Sequence, residues 1–328
     1  MKNIQADIKS GNFKQVYLLY GEEAYLKQQY KQNLVKALNP DGDTMNFNHY
    51  EGKGIDVKQL IDLCETMPFF AEHRVVLLED TGFFKNKCEE LADYMKELPD
   101  YLYLVFAETE VDKRNRMYKA VKACGSIAEF IRQDEKTLMR WAAGILGKAG
   151  KKITQRDMEL LLTKTGTDMG NLRMEMEKLI SYTEGRDVVT AEDIEEICTT
   201  QTTNRIFDMV RAVTEKNQKR ALELYYDLLT LKEPPMRILF LLAKQYRQLL
   251  LAKQFAASGL AQTEIASKLG VPGFVVKNIT TCARAYTISE LEQAVKDFVD
   301  AEESVKTGRL EDKLSVELLI IKYSSKVK

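Results

Sequence analysis

The amino-acid sequence predicts an α/β domain with a parallel sheet, followed by two all-helical domains. Two observations lead to this fold class. As far as about residue 130, short apolar runs of strand length alternate with amphipathic stretches of helix length, which is the pattern of a parallel sheet covered by helices. From residue 134 onward the apolar residues recur at helical spacing. These changes place the domains at residues 1–133, 134–203 and 204–328.

In the first domain, strands and helices should alternate. Runs rich in valine, leucine and aromatic residues predict the strands, and longer mixed stretches predict the helices. The predicted strands are residues 16–20, 45–50, 74–78, 101–107 and 126–130. The predicted helices are residues 22–38, 57–67, 85–98 and 114–124.

Composition indicates a soluble globular protein. The chain has 328 residues, of which 45% are hydrophobic and 30% charged, and one core rarely serves that length. No apolar run approaches the roughly 20 residues of a membrane span. The amino-terminal segment lacks the apolar stretch of a signal peptide, so we expect a cytoplasmic protein without a membrane partner. With 48 Lys and Arg against 49 Asp and Glu, net charge does not require a nucleic-acid partner.

The cysteines number five, an odd count, and they are widely scattered without a CxxC or Cys/His pairing. This spacing supports neither a disulfide framework nor a zinc module. We therefore expect reduced and mostly buried thiols.

The first predicted strand ends at Gly21, where a nucleotide-binding α/β domain would carry its phosphate loop. A Walker A loop needs glycines that let backbone N–H groups converge on phosphate, followed by Lys and Ser or Thr. Here Glu22 and Glu23 follow the glycine instead, and their carboxylates would repel phosphate. Taken alone, this segment favours an ordinary βα turn in a protein that never bound nucleotide, and the alternative, which the rest of the chain favours, is a degenerate nucleotide site. In both cases we expect no cofactor and no catalysis.

Glu79 and Asp80 follow the strand at residues 74–78, where a Walker B acid would hold Mg²⁺. Acids at strand ends also solvate the loop or cap the next helix. Without an upstream phosphate lysine, we favour this second role and expect no metal.

The second domain should contain helices at residues 136–149, 154–164 and 171–183, and a fourth that opens with a capping box from Thr190 to Asp193. In ATPases of the AAA+ class, an arginine at the position of Arg173 reaches the γ-phosphate. The alternative is a solvated Arg173 that pairs with Glu177 one helical turn later.

In the third domain, Pro234 and Pro235 break the chain before a largely apolar helix at residues 236–257. Further helices are predicted at residues 291–304 and 314–323. Helices of this kind suit a collar that packs between subunits as well as a hydrophobic core within this chain alone.

A helix-turn-helix is an alternative reading of residues 262–278, with Gly270 at the turn, and it would make the chain a DNA-binding regulator. A recognition helix must offer polar side chains from its first turns. This one begins with the residues Pro272, Gly273, Phe274, Val275 and Val276. Such residues favour packing, and so a helical pair inside the collar.

A short turn beginning Met67-Pro68-Phe69-Phe70 separates the predicted helix at 57–67 from the next strand. Pro68 cannot continue the hydrogen bonding of the helix. Taken alone, the two phenylalanines would fill the gap between helix and sheet edge as core residues. The alternative is an exposed pair that binds a partner.

As an ordered set, several segments resemble the family of delta subunits of the bacterial DNA polymerase III clamp loader, and the resemblance covers essentially the whole chain. These segments are residues 16–23 with the missing phosphate loop, 67–76, 111–120, 166–179 and 264–277. An inactive AAA+ adaptor of another kind is the remaining alternative.

The resemblance implies a three-domain, AAA+/RecA-like accessory subunit of the polymerase holoenzyme that binds and opens the sliding clamp (beta subunit) without its own ATPase activity. The clamp-binding element carries over to Met67, Pro68, Phe69 and Phe70, where Phe69-Phe70 replaces the usual Leu-Phe. The collar would join the motor subunits (tau/gamma) and delta prime. Primed DNA would be contacted through the assembled complex.

Overall fold

The computed structural model describes residues 2–199, 202–271 and 273–325. The chain forms two compact units, Met1–Gln133 and Asp134–Lys328. The division of the second unit into a lid and a collar stays a prediction.

The first unit is a parallel α/β fold, as predicted. Its five strands form one sheet in the order β2-β3-β4-β1-β5, and every paired neighbour runs parallel. The elements are α1 (Lys2–Ser10), β1 (Val16–Tyr20), α2 (Ala24–Leu38), β2 (Phe47–Glu51), α3 (Val57–Glu65), β3 (Arg74–Glu79), α4 (Glu89–Tyr94), β4 (Leu102–Glu108), α5 (Arg116–Cys124) and β5 (Ser126–Glu129).

Helices cover both faces of this sheet. Alternate side chains of a strand point to opposite faces, so Leu18 packs with Phe106 under α3, α4 and α5, whereas Tyr17 and Leu19 pack with Leu34 of α2. The central strands are therefore buried on both faces, which explains why they read as continuous apolar runs.

Several boundaries differ from the prediction by one or two residues, and the larger differences have local reasons. The helix predicted at 85–98 spans only Glu89–Tyr94, because the N–H groups of Lys85 and Asn86 close a turn on the carbonyl of Gly82. The strand predicted from residue 45 begins at Phe47, because the Asp43 carboxylate binds the N–H of Met45 in a turn. The amino-terminal helix α1 was not predicted, although Ile4 is buried against the sheet.

The second unit is almost entirely helical. Its helices are α6 (Glu135–Lys148), α7 (Gln155–Thr165), α8 (Met169–Tyr182), α9 (Ala191–Ile197), α10 (Thr202–Thr214), α11 (Gln218–Thr230), α12 (Pro235–Ala257), α13 (Gln262–Leu269), α14 (Gly273–Ala283), α15 (Ile288–Lys306) and α16 (Asp312–Ser324). The short strands β6 (Lys152–Ile153) and β7 (Val188–Val189) pair in parallel. The predicted capping box of Thr190 and Asp193 opens α9.

Two separate apolar clusters hold the second unit together. One joins α6 to α9 through residues such as Leu146, Leu172 and Leu179. The other joins α10 to α16 around buried residues such as Tyr225 and Tyr246. No helix in the described part of the chain is both long and apolar enough to cross a membrane.

Helices α13 and α14 meet at Gly270, which adopts a left-handed backbone with φ of 63°. Both pack against α12, and Ile265, Val276 and Ile279 are buried. The predicted packing is confirmed at Val276, which is buried, and at Val275, which packs against the same cluster. Pro272 lies outside the described residues, and so does the Phe274 side chain.

Candidate functional site

Residues 66–73, called the aromatic turn below, link α3 to β3 at the amino-terminal edge of the sheet. The side chains of Met67, Phe69 and Phe70 are 76%, 56% and 94% exposed, and Pro68 is half-buried. Aromatic core residues would be closed to solvent. The interpretation of the two phenylalanines as core is therefore wrong.

The two exposed rings pack on each other. The centroids of Phe69 and Phe70 are 4.5 Å apart with the planes at 78°, an edge-to-face pair. Phe70 has a φ of 49°, in the left-handed region that residues with a Cβ rarely adopt. The turn therefore holds a strained conformation that directs an aromatic pair into solvent, an arrangement that surrounding contacts must maintain.

Asn46, which directly precedes β2, holds the middle of the aromatic turn. Its Nδ2 donates to the carbonyl oxygen of Phe69 at 2.8 Å, and the Phe69 N–H donates to its Oδ1 at 2.7 Å. Nδ2 also donates to the carboxylate of Asp43, and this bond lowers the pKa of Asp43 below its ordinary value. Both hydrogens of the Asn46 amide therefore donate and its oxygen accepts, and the residue is buried at 4% exposure.

Arg74 and His73 hold the two ends of the turn. The buried Arg74 guanidinium donates from Nε to the Thr66 carbonyl at 3.1 Å and, more weakly, to that of Met67 at 3.4 Å. The Nε2–H of His73 donates to the carbonyl oxygen of Leu38 at the end of α2, at 2.6 Å. The turn is therefore tied to the sheet and to a helix.

The opposite, carboxyl-terminal edge of the sheet is where the phosphate loop would lie. Gly21 has a φ of 123°, and a Cβ added there would approach the Phe130 carbonyl oxygen to 2.3 Å. The N–H of Glu23 donates to this same oxygen at 2.9 Å. A backbone donor at the start of α2 is thus bonded within the protein instead of facing a ligand.

Charged side chains at this edge are also paired. Lys27 donates to the carbonyl oxygen of Glu108 at 2.9 Å, and burial lowers its pKa. Lys31 contacts one carboxylate oxygen of Glu79 at 2.6 Å, and His49 contacts the other at 2.9 Å. The amines of Lys27 and Lys31, which could otherwise bind phosphate, are bonded to oxygens of the protein.

The acids after the strands are similarly bonded. The Asp80 carboxylate accepts the N–H of Thr109 at 2.9 Å. The buried Glu108 carboxylate accepts the N–H groups of Thr81 and Gly82 at 3.1 and 3.3 Å. Burial raises the pKa of Glu108, while these hydrogen bonds lower it. Within the described residues, no cluster of His, Cys, Asp and Glu is suited to hold a metal ion.

Arg173 lies on α8 and pairs with Glu177, with 2.7 Å between Nε and Oε1. The predicted ion pair at one-turn spacing is therefore confirmed. The cysteines in the described chain are free thiols: Cys64, Cys198 and Cys282 are buried, Cys88 is half-buried and Cys124 is exposed.

A second exposed apolar surface lies on helices α11 and α16. Tyr226, Leu314 and Leu318 are exposed, and the Tyr226 hydroxyl donates to the Glu317 carboxylate at 2.8 Å. This bond links the two helices, so their exposed residues belong to one surface. We call Tyr226, Leu314 and Leu318 the α11–α16 surface.

Sequence reasoning did not find Asn46, Arg74 or His73 as parts of the site. The available signal was Arg74 at the head of an apolar strand, because a buried guanidinium requires several acceptors close by. Asn46 gave no comparable signal, since its partner Phe69 lies 23 positions away.

Known proteins and protein families match residues in both units of the chain. The family model of the DNA polymerase III delta subunit matches residues 17–130, and that of its C-terminal domain matches residues 203–323. The DNA polymerase III subunit delta of Bacillus subtilis is 26% identical over 332 residues, spanning 97% of this chain and 95% of the relative. A probable delta subunit of Aquifex aeolicus is 21% identical, spanning 80% of this chain and 77% of the relative.

The solved structure of the Bacillus subtilis DNA clamp loader delta protein has the same fold. It superposes with a TM-score of 0.68 at 24% identity, and the match covers 99% of each chain. The predicted fold class, a parallel α/β domain followed by an all-helical region, is thereby confirmed.

Proposed function

The chain belongs to the DNA polymerase III delta subunit family, and from this premise we propose that it binds the sliding clamp through Met67, Pro68, Phe69 and Phe70 and opens it for loading on primed DNA. In this proposal the subunit acts by binding alone and hydrolyses no ATP. It is an accessory subunit of the clamp loader, working in the cytoplasm.

One observation carries the clamp-binding proposal: an edge-to-face aromatic pair is held in solvent by a buried polar network. Burying an exposed phenylalanine contributes about 1.5–3 kcal/mol. Aromatic anchors in preformed pockets are typical hot spots, worth about 2 kcal/mol or more each. Phe70, the more exposed ring, should be the main anchor, with Met67 adding secondary apolar contact.

Opening of the clamp follows from where this anchor binds. If its pocket lies beside the subunit interface of the ring, the anchor can fit the open ring better than the closed one. A ligand shifts a conformational equilibrium only by its difference in affinity for the two states. The free energy of anchor binding would therefore hold the ring open without a chemical step.

The carboxyl-terminal edge of the sheet supports the absence of ATPase activity. The Lys27 amine and the Glu23 N–H, both near the start of α2, are bonded to carbonyl oxygens of the protein.

Motor subunits (tau/gamma) would supply ATP-driven control, and they would decide when the aromatic turn is presented.

The α11–α16 surface is our candidate for assembly with the motor subunits and delta prime. Tyr226, Leu314 and Leu318 expose apolar area beside polar residues such as Glu317, a composition typical of a subunit interface. Primed DNA would be met through the assembled complex.

Titration of the purified cognate clamp with the full chain, with and without Mg-ATP, tests the central proposal. We expect saturable binding of equal affinity in both conditions, because the anchor is exposed in the free chain and no nucleotide acts on it. Binding that required ATP, or no binding at all, would contradict the proposal.

A co-purification experiment tests the assembly surface. Leu314→Asp with Leu318→Asp should prevent co-purification with the motor subunits and leave clamp binding unchanged. Val299→Asp is the control, because Val299 is also an exposed aliphatic residue but lies on α15. Full assembly by the double variant would remove the α11–α16 surface from the proposal.

A further inference from the structure

Asn46 occupies a position that the sheet itself fixes. Its carbonyl oxygen accepts the N–H of Val75 at 2.9 Å, which extends the β2–β3 ladder by one residue beyond the strand. The next residue, Phe47, pairs with Val75 in register. The backbone of Asn46 is therefore held to the sheet, and its side chain reaches from the sheet to the aromatic turn.

The Asn46 amide binds Phe69 as a neighbouring strand would. It donates to the carbonyl and accepts from the N–H of the same residue, at 2.8 and 2.7 Å. The remaining Nδ2 hydrogen goes to Asp43. A rotated amide would set two donors against each other and two acceptors against each other, so only one orientation satisfies these bonds.

The network continues to helix α2. The Asp43 carboxylate also accepts the N–H of Met45 at 2.7 Å. The Asn39 side chain both donates to the carbonyl and accepts from the N–H of Asp43, each at 2.9 Å. The backbone of Phe69 is thus tied through Asn46 and Asp43 to the C-cap of α2.

The residue after this attachment is the strained and almost fully exposed Phe70. Without an attachment, a short turn bearing two phenylalanines would relax its backbone and cover the rings against the nearest apolar surface. A turn fixed before binding avoids the entropy cost of ordering it in the complex.

We propose that Asn46 is a positioning residue for the clamp-binding turn, holding the Phe69 backbone so that both rings are presented in their binding arrangement. The inference rests on the proposed function. Asn46 itself need not touch the clamp, because it is buried beneath the turn.

The test compares Asn46→Ala with Asn115→Ala in the full-length chain. Asn115 caps α5 and bonds the carbonyls of Phe83 and Asn86, so its loss removes similar hydrogen bonds far from the turn. We expect Asn46→Ala to weaken clamp binding about tenfold, the effect of losing roughly two hydrogen bonds. Asn115→Ala should lower the melting temperature without changing clamp affinity.

Hydrogen exchange of the Phe69 amide in the free chain is the second readout. It should accelerate in Asn46→Ala and stay unchanged in Asn115→Ala. Asn46→Asp places a second carboxylate beside Asp43 and should also weaken binding. Adding Asp43→Asn restores a hydrogen bond between the two side chains with donor and acceptor exchanged, and the new carboxylate still accepts the Phe69 N–H, so this double variant should recover part of the affinity.

The outcomes separate the inference from the proposed function. Wild-type clamp affinity in Asn46→Ala, while Phe69→Ala with Phe70→Ala loses binding, would overturn the positioning role and leave clamp binding by the rings standing. An equal loss of affinity in Asn115→Ala would also overturn it, because general destabilisation would then explain the effect. Wild-type affinity in the double phenylalanine variant would overturn both.

Discussion

The two edges of the five-stranded sheet use their buried polar groups in opposite ways. At the carboxyl-terminal edge, polar groups bond one another: Lys31 pairs with Glu79, and Lys27 with the carbonyl of Glu108. At the amino-terminal edge, Asn46 and Arg74 bond the backbone of a turn whose apolar side chains remain in solvent. In the first arrangement the polar groups are bonded within the protein, and in the second they support apolar side chains that are exposed to solvent.

This difference matters because ligands of open α/β sheets normally bind outside the carboxyl ends of the strands. Here the exposed apolar groups of the aromatic turn lie at the other edge. Fold class alone would therefore direct attention to the other end of the domain. What locates the candidate site is the combination of exposed rings and a buried network that supports them.

Removing the two rings should have the largest effect. Phe69→Ala with Phe70→Ala should reduce clamp affinity by about 3–4 kcal/mol, since two hot-spot side chains are lost. Because both rings are exposed, the free energy of unfolding should change by less than about 1 kcal/mol. Clamp titration and thermal melting of the same samples measure the two effects.

Ile131→Ala is the control for this comparison, because Ile131 is a large exposed residue just beyond the carboxyl-terminal end of β5. It should bind the clamp as the wild-type chain does. A collapsed melting transition in the double phenylalanine variant would mean that the rings support the fold. Equal losses of affinity in both variants would erase the contrast between the edges.

Gly21→Ala should have the next largest effect, on stability. Its Cβ would meet the Phe130 carbonyl at 2.3 Å, and its φ of 123° is unfavourable for alanine. Together these should lower the free energy of unfolding by about 2–4 kcal/mol. Clamp affinity of the folded fraction should not change, because the aromatic turn is at the other edge.

Gly11→Ala separates the two causes, because Gly11 has a φ of 73° but no atom within 4 Å of an added Cβ. Gly11→Ala should lower the free energy of unfolding by only about 1–2 kcal/mol, because it adds only the strain of a left-handed backbone. If Gly21→Ala were no more costly than Gly11→Ala by chemical denaturation, the carboxyl-terminal edge would be looser than its geometry indicates.

The central strands and the aromatic turn could be predicted from the sequence because their signals are local. The apolar run at Val16–Tyr20 allows little else than a buried strand. Pro68 excludes a helix that continues into the aromatic turn, and α3 ends at Glu65, three residues before it. Whether Phe69 and Phe70 were core or exposed stayed open, because a phenylalanine in a short turn suits both. Solvent exposure depends on the packing of distant segments.

The supporting network could not be predicted for the same reason. Asn46 and Phe69 are 23 positions apart, and they meet only because β2 and β3 pair in one register. Helix α1 was missed because its contacts also lie outside the helix: the hydroxyl of Tyr17, ten positions further along the chain, donates to the Asp7 carboxylate. Short polar segments take their structure from such partners.

A smaller effect should appear in the pH dependence of stability. Burial raises the pKa of Glu108 above its ordinary value of 4.5, so the folded state binds this proton more tightly than the unfolded state. The associated stability is present below pH 4.5 and is lost as the pH rises through the folded-state pKa. Glu108→Gln cannot titrate, so its stability should improve relative to wild type as the pH rises from 4.5.

Denaturation at several pH values measures this difference. Phe70→Ala serves as the control, because it alters the other edge and should track the wild-type pH dependence. A constant difference between wild type and Glu108→Gln across the range would show that Glu108 titrates as it does in the unfolded chain.

The smallest expected effect is that of ATP on the free chain. A ligand present at one hundred times its Kd stabilises the folded state by about 2.7 kcal/mol, so even weak binding would raise the melting temperature. We expect no shift with Mg-ATP, because the N–H of Glu23 and the amines of Lys27 and Lys31 are already bonded to protein oxygens. A motor subunit measured alongside provides the positive control. Saturable ATP binding with a micromolar Kd by calorimetry would show that the carboxyl-terminal edge can open, and the contrast between the two edges would fail.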